Sequence, residues 1–118
     1  MKRSLLDFLQ DILDATAEIE GFIAGIDFEA FDANREKTLA VVKLFEVIGE
    51  AVKQIPQDRR SLYSEIPWKS IAGMKDVFVH EYWGIDTAVV WSTVKESLPL
   101  LKVVILDMLS SLSNEVGL

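Results

Sequence analysis

The stretch REKTLAVVKLFEVIGEAVKQI, residues 35–55, decides the fold. Its apolar residues Val41, Leu44, Phe45, Ile48, Val52 and Ile55 recur at the i, i+3, i+4 intervals of an amphipathic helix rather than at the alternate positions of a strand. Pro56, which cannot continue a helix, stops the pattern. A helix from about Arg35 to Ile55 with one apolar face has to lay that face against other helices.

Working outward, the chain supplies them. Upstream, Leu5, Leu9, Ile12, Thr16, Ile19 and Ile23 form a second stripe, opened by Ser4 with Asp7 in an N-cap arrangement and closed around Gly21 and Gly25. A polar stretch with Asp27, Asp32 and Asn34 links the two. Downstream, residues 57–67 mix charges with a few apolar anchors and end in a proline, which predicts a short helical turn and a connection. Trp68 opens a third segment, in which Ile71, Met74, Val77 and Phe78 again repeat at three and four, carrying the helix to about His80. Asp86 caps the last helix, which runs to about Leu112 through Val90, Val94, Leu98, Leu101, Ile105 and Met108, with Pro99 expected to kink or split it. No stretch alternates as a strand does. The expectation is all-α: an antiparallel up-and-down four-helix bundle, with a short extra helix or turn between helices two and three.

At 118 residues, residues 1–118 are expected to form one domain. Half the residues are hydrophobic and 26% are charged, a globular balance. A mean hydropathy of +0.24 is high for a chain that must hide its own apolar residues, so an apolar partner surface is expected. There is no Cys and one His, which removes disulfides, thiolate metal sites and His clusters from consideration, so neither a metal nor a cofactor is expected. Asp7, Asp11 and Asp14 interrupt the leucines of the first segment, so no membrane span is expected and the cytoplasm is the expected location.

The net charge of −7 argues against a broad nucleic-acid groove and against DNA as a partner. Only the middle of the chain is basic, with Lys53, Arg59, Arg60, Lys69 and Lys75 against two acidic residues over 53–75. That excess suits either a local anion pocket or a solvated loop. Glu46 and Glu50, four apart, share a helix face; they are open to acid/base work or to pairing with Lys43 and Lys53.

The most informative stretch is GMKDVFVHEYWGID, residues 73–86, which holds the only His. On their own, His80 could cap a helix end and Tyr82 and Trp83 could be ordinary packing. Taken with LFEVIGEAVKQI at 44–55, IPWKSIAGM at 66–74, the basic-x4-His-x-Tyr motif of Lys75, His80 and Tyr82, then GID at 84–86 and VVW at 89–91, the sequence resembles the HepT-like branch of the HEPN superfamily. The likeness spans nearly the whole chain. It departs from the family signature in having Lys75 where the family has Arg and Asp76 where Asn is usual. An ammonium keeps the positive charge of a guanidinium but not its bidentate fork, and Asp76 adds an anion.

The resemblance implies a ribonuclease toxin that works without a metal. In that reading His80 is the general acid/base and Lys75 the charge stabiliser, with Asp76, Glu50 and Lys53 as candidate cleft-lining residues. It also implies a homodimer with the motif at its interface and, as partner and antitoxin, an MNT-type minimal nucleotidyltransferase that transfers AMP to Tyr82. An inactive partner protein that only accepts AMP, or a nucleotide-binding helical dimer, is the alternative. On an ideal helix, at about 100° per residue, Lys75 and His80 stand about 140° apart. To meet at one phosphate, either the helix loosens near His80 or two copies share a cleft.

Overall fold

The computed structural model describes residues 3–74 and 84–115, together with the backbone of 79–80. It is an all-α bundle, as the periodicity requires. Helix α1, Leu5–Ile23, begins with a capping box: Ser4 N–H donates to Asp7 Oδ2 at 2.9 Å, and the Asp7 N–H donates to Ser4 Oγ at 3.3 Å. The Ser4 backbone N–H, followed by the Ser4 hydroxyl, holds the Asp7 carboxyl below its ordinary value of 3.8. The helix passes straight through Gly21. A Cβ there would meet nothing within 4 Å, so Gly21→Ala is expected to raise stability by about 0.5–1 kcal/mol, read as a higher urea midpoint.

A short helix α2, Phe28–Ala33, occupies the stretch expected to be a loop. Asp27 Oδ1 caps it by accepting the Ala30 N–H at 2.9 Å. Phe31 is fully buried, its ring 5.3 Å from that of Trp91. Asn34 then serves twice: its N–H closes α2 on the Phe31 carbonyl, and its Oδ1 accepts the Lys37 N–H at 3.0 Å to open α3, Arg35–Val52. The helix ends three residues before the expected Ile55. Pro56 disfavours helical geometry at the residue before it, and the chain tightens into turns, with the N–H groups of Gln54 and Ile55 donating to the carbonyls of Ala51 and Val52. Ile55 is still buried.

The connection forms α4, Gln57–Arg60, and a 3₁₀ turn, Ser61–Tyr63, matching the expected short extra helix. Arg59 pairs with Glu115 at 2.9 Å, and the Tyr63 hydroxyl donates to Asp107 Oδ2 at 2.5 Å. That bond, then partial burial, raises the Tyr63 hydroxyl above its ordinary 10.0. Trp68 Nε1 donates back to the carbonyls of Arg60 and Tyr63. Helix α5, Trp68–Ala72, closes at Gly73 and does not run on to His80. Instead Val79–His80 (β1) pairs antiparallel with Gly84–Ile85 (β2), in the register Val79 to Ile85 and His80 to Gly84.

The last helix α6, Thr87–Glu115, starts at the expected cap, Asp86 Oδ1 accepting the Val89 N–H at 3.2 Å. It is one continuous helix, so Pro99 does not split it. Pro99 and Lys95, whose carbonyl loses its helical donor, both lie on the exposed side, where water can serve that carbonyl. Lys37 at the start of α3 donates to the Phe22 carbonyl at the end of α1, which sets those two helices antiparallel. Thr87 bonds Asp32 at one end of the molecule and Arg59 bonds Glu115 at the other, so α6 runs the same way as α3. These are the directions of the first, second and fourth members of an up-and-down bundle. Leu9, Ile12, Ile19, Val41, Phe45, Ile48, Ile71, Leu98, Leu101 and Ile105 fill the space between them. No helix among the described residues is long and apolar enough to cross a membrane.

Candidate active site

Lys75, Asp76 and Tyr82 lie outside the described residues; of His80 the backbone is described. That backbone is extended and paired to Gly84, so the angular argument for a continuous helix through His80 does not apply. The loosening that would let Lys75 and His80 approach one another is present in the chain. Gly84 faces His80 with φ +86°, a conformation that costs a residue bearing a Cβ about 1 kcal/mol or more. This glycine is required by the backbone of the turn-and-pair that holds His80.

On the other side of the motif, α3 and α5 enclose a cleft of about 230 Å³ lined by Phe45, Glu46, Gly49, Glu50, Lys53 and the end of α5. Glu50 and Lys53, expected to line the cleft, do so. They also neutralise one another, Lys53 Nζ standing 3.0 Å from Glu50 Oε1 with both side chains at least half exposed. Lys43 lies 3.8 Å from Glu46. The ion-pair reading of the two glutamates is therefore the one found. Such exposed pairs contribute little to stability, and they leave the cleft rim with balanced charge.

The basic excess of the middle segment does not converge on this cleft among the described residues. Lys53 lines it, Arg59 is engaged with Glu115, and Lys69 is exposed at the start of α5. Arg60 keeps its Nε buried without a hydrogen-bond partner, while its carbonyl accepts from Trp68. The residue that sequence reasoning missed is Gly49. The signal was available, because a lone glycine inside a helical pattern costs about 1 kcal/mol relative to alanine and asks for a reason. The structure supplies one: a Cβ at Gly49 would stand 3.1 Å from the carbonyl oxygens of both Ile71 and Ala72. Helix α5 thus rests on the bare backbone of α3.

Residues 12–108 match a family model described as Ribonuclease HepT-like. Among curated proteins, the chain is 47% identical over 102 residues to the "Probable ribonuclease HepT" of Thermococcus cleftensis, covering 86% of this chain and 93% of that one. It is 45% identical over 101 residues to a "Putative RNase" of Methanocaldococcus jannaschii, covering 86% and 87% of the two chains. A longer protein of that organism, named "Gamma-glutamylcyclotransferase and putative RNase", is 33% identical over 114 residues; these are 97% of this chain and 51% of that protein. No solved structure matches the chain.

Proposed function

Because this chain belongs to the ribonuclease HepT-like family, we propose that it is an endoribonuclease whose reaction is run by His80 and Lys75. What carries the reading is the family match, which spans residues 12–108 and so takes in the whole motif from Lys75 to Tyr82. An imidazole accepts the proton of a ribose 2′-hydroxyl as its oxygen bonds to the adjacent phosphorus. The bond from phosphorus to the 5′-oxygen breaks, and that oxygen takes up a proton. Lys75 steadies the added charge on the five-coordinate phosphate. The products are a 2′,3′-cyclic phosphate and a 5′-hydroxyl.

The same reading makes the chain the toxin of a cytoplasmic pair. Two copies share the cleft, and an MNT-type nucleotidyltransferase blocks it by transferring AMP from ATP to Tyr82. An adenylate there adds bulk and negative charge beside Lys75. The apolar residues Leu100, Val103 and Leu106, each about half exposed or more on α6, support an apolar interface with a second copy. The departures at Lys75 and Asp76 favour a second reading, in which the chain no longer cleaves RNA and serves its partner as an AMP acceptor or nucleotide-binding dimer.

Incubation of the purified chain with single-stranded RNA in the presence of EDTA separates the two. Cyclic-phosphate ends detected by mass spectrometry are the expected result; intact RNA favours the inactive partner. Within the first reading, Lys75→Ala is expected to lower the rate about 10²-fold or more, whereas Lys75→Arg keeps or raises it. Equal rates for Lys75→Ala and wild type would remove Lys75 from the reaction. After mixing with the nucleotidyltransferase and ATP, the mass of one AMP is expected on the peptide carrying Tyr82.

A further inference from the structure

Gly49 stands in the middle of α3, where almost any other residue would make a better helix. Its cost is offset by close approach. The two atoms that a Cβ would crowd at 3.1 Å are carbonyl oxygens of α5, so no side chain can rotate away to make room. The last turn of α5 is therefore seated at a fixed depth on α3. Gly73 and Met74 follow that turn, Met74 is 7% exposed and packed in the core, and Lys75 is the next residue in the chain. At the far end of the motif, His80 is tied to Gly84 through β1 and β2. The motif hangs between two backbone anchors, and the first of them is set by the missing side chain at position 49.

We propose that Gly49 is a positioning residue for Lys75 and His80, acting through the seat it gives α5. The proposal rests on the ribonuclease reading above for its catalytic readout. A methyl group at position 49 pushes α5 outward by a few tenths of an ångström and carries the start of the motif with it. Displacements smaller than an ångström at groups that touch the reacting phosphate lower the chemical step more than substrate binding.

The test compares wild type, Gly49→Ala, Gly21→Ala and His80→Ala, all as the full chain. Gly21→Ala is the matched control, adding the same methyl group to a helix where nothing lies within 4 Å. RNA cleavage gives kcat and KM. Because the chain has one His, the imidazole proton signal in an NMR titration reports on His80 without assignment. Gly49→Ala is expected to retain a cooperative melt, to lower kcat about tenfold with KM within about twofold, and to shift the His80 signal. Gly21→Ala is expected to leave kcat, KM and the signal as in wild type.

A Gly49→Ala protein with wild-type kcat and an unmoved imidazole signal overturns the proposal while His80→Ala still tests the ribonuclease reading. Loss of the cooperative melt also overturns it, since Gly49 would then be needed for folding alone. Should wild type leave RNA intact, the ribonuclease reading fails by itself, and the NMR shift still decides whether Gly49 positions the motif.

Discussion

His80→Ala is expected to lower kcat/KM for RNA cleavage by about 10³-fold, within the range of 10²–10⁴ that a positioned general acid/base contributes. The chain has one imidazole per copy and no Cys, so no second His or thiol of the same subunit can take over the proton transfer near neutral pH. The measurement is initial rate against RNA concentration for wild type and variant. Far-ultraviolet circular dichroism checks that the helices survive. A variant retaining more than about a tenth of the wild-type rate would sink His80 as the acid/base. Residual cleavage from charge stabilisation alone should depend on Lys75 and vanish in the double variant.

Phe31→Ala is the substitution with the largest expected effect on the fold. Phe31 is fully buried, sits on the six-residue helix α2, and packs its ring against Trp91 of α6. Truncating a buried phenylalanine costs about 3–5 kcal/mol through lost transfer energy and the cavity left behind. Domains of this size have only about 5–15 kcal/mol in total. A helix of six residues has no stability of its own, so α2 should loosen with its anchor and expose the Asp32 to Thr87 bond to water. Urea denaturation is expected to lose about a third of the unfolding free energy or more, and the thermal midpoint to fall by about 10–20 °C. A loss under 1 kcal/mol would show that α2 is held by its caps and not by Phe31.

The long helices were legible because their periodicity is the same physics as their packing. Leu9, Ile12 and Ile19 on α1 and Val41, Phe45, Ile48 and Val52 on α3 are all buried as their spacing requires. Helix α2 was not legible. Asp27, Asp32 and Asn34 read as loop residues, whereas Asp27 and Asn34 are caps of helices too short to show a period. The third segment misled for a different reason. Ile71, Met74, Val77 and Phe78 keep helical spacing, but Gly73 closes α5, and the run VFV is as well suited to a strand as to a helix. Pro99 was read as a break because its sequence neighbours do not reveal that it lies on the exposed side of α6. Of the candidate site, Glu50 and Lys53 were placed by spacing alone. Their mutual pairing, and the seat that Gly49 provides, depend on which helix crosses at that height, which spacing does not encode.

The single residue Asn34 between α2 and α3 leaves no slack. One amino acid inserted there would turn α3 by about 100° relative to α2, swinging Phe45 and Ile48 off the bundle axis while Phe31 stays pinned to Trp91. The joint therefore works as a phase lock. It couples the rotation of the helix that bears Gly49, Glu50 and Lys53 to the opposite end of the molecule, so that the angular setting of the cleft wall is dictated by the short helix before it.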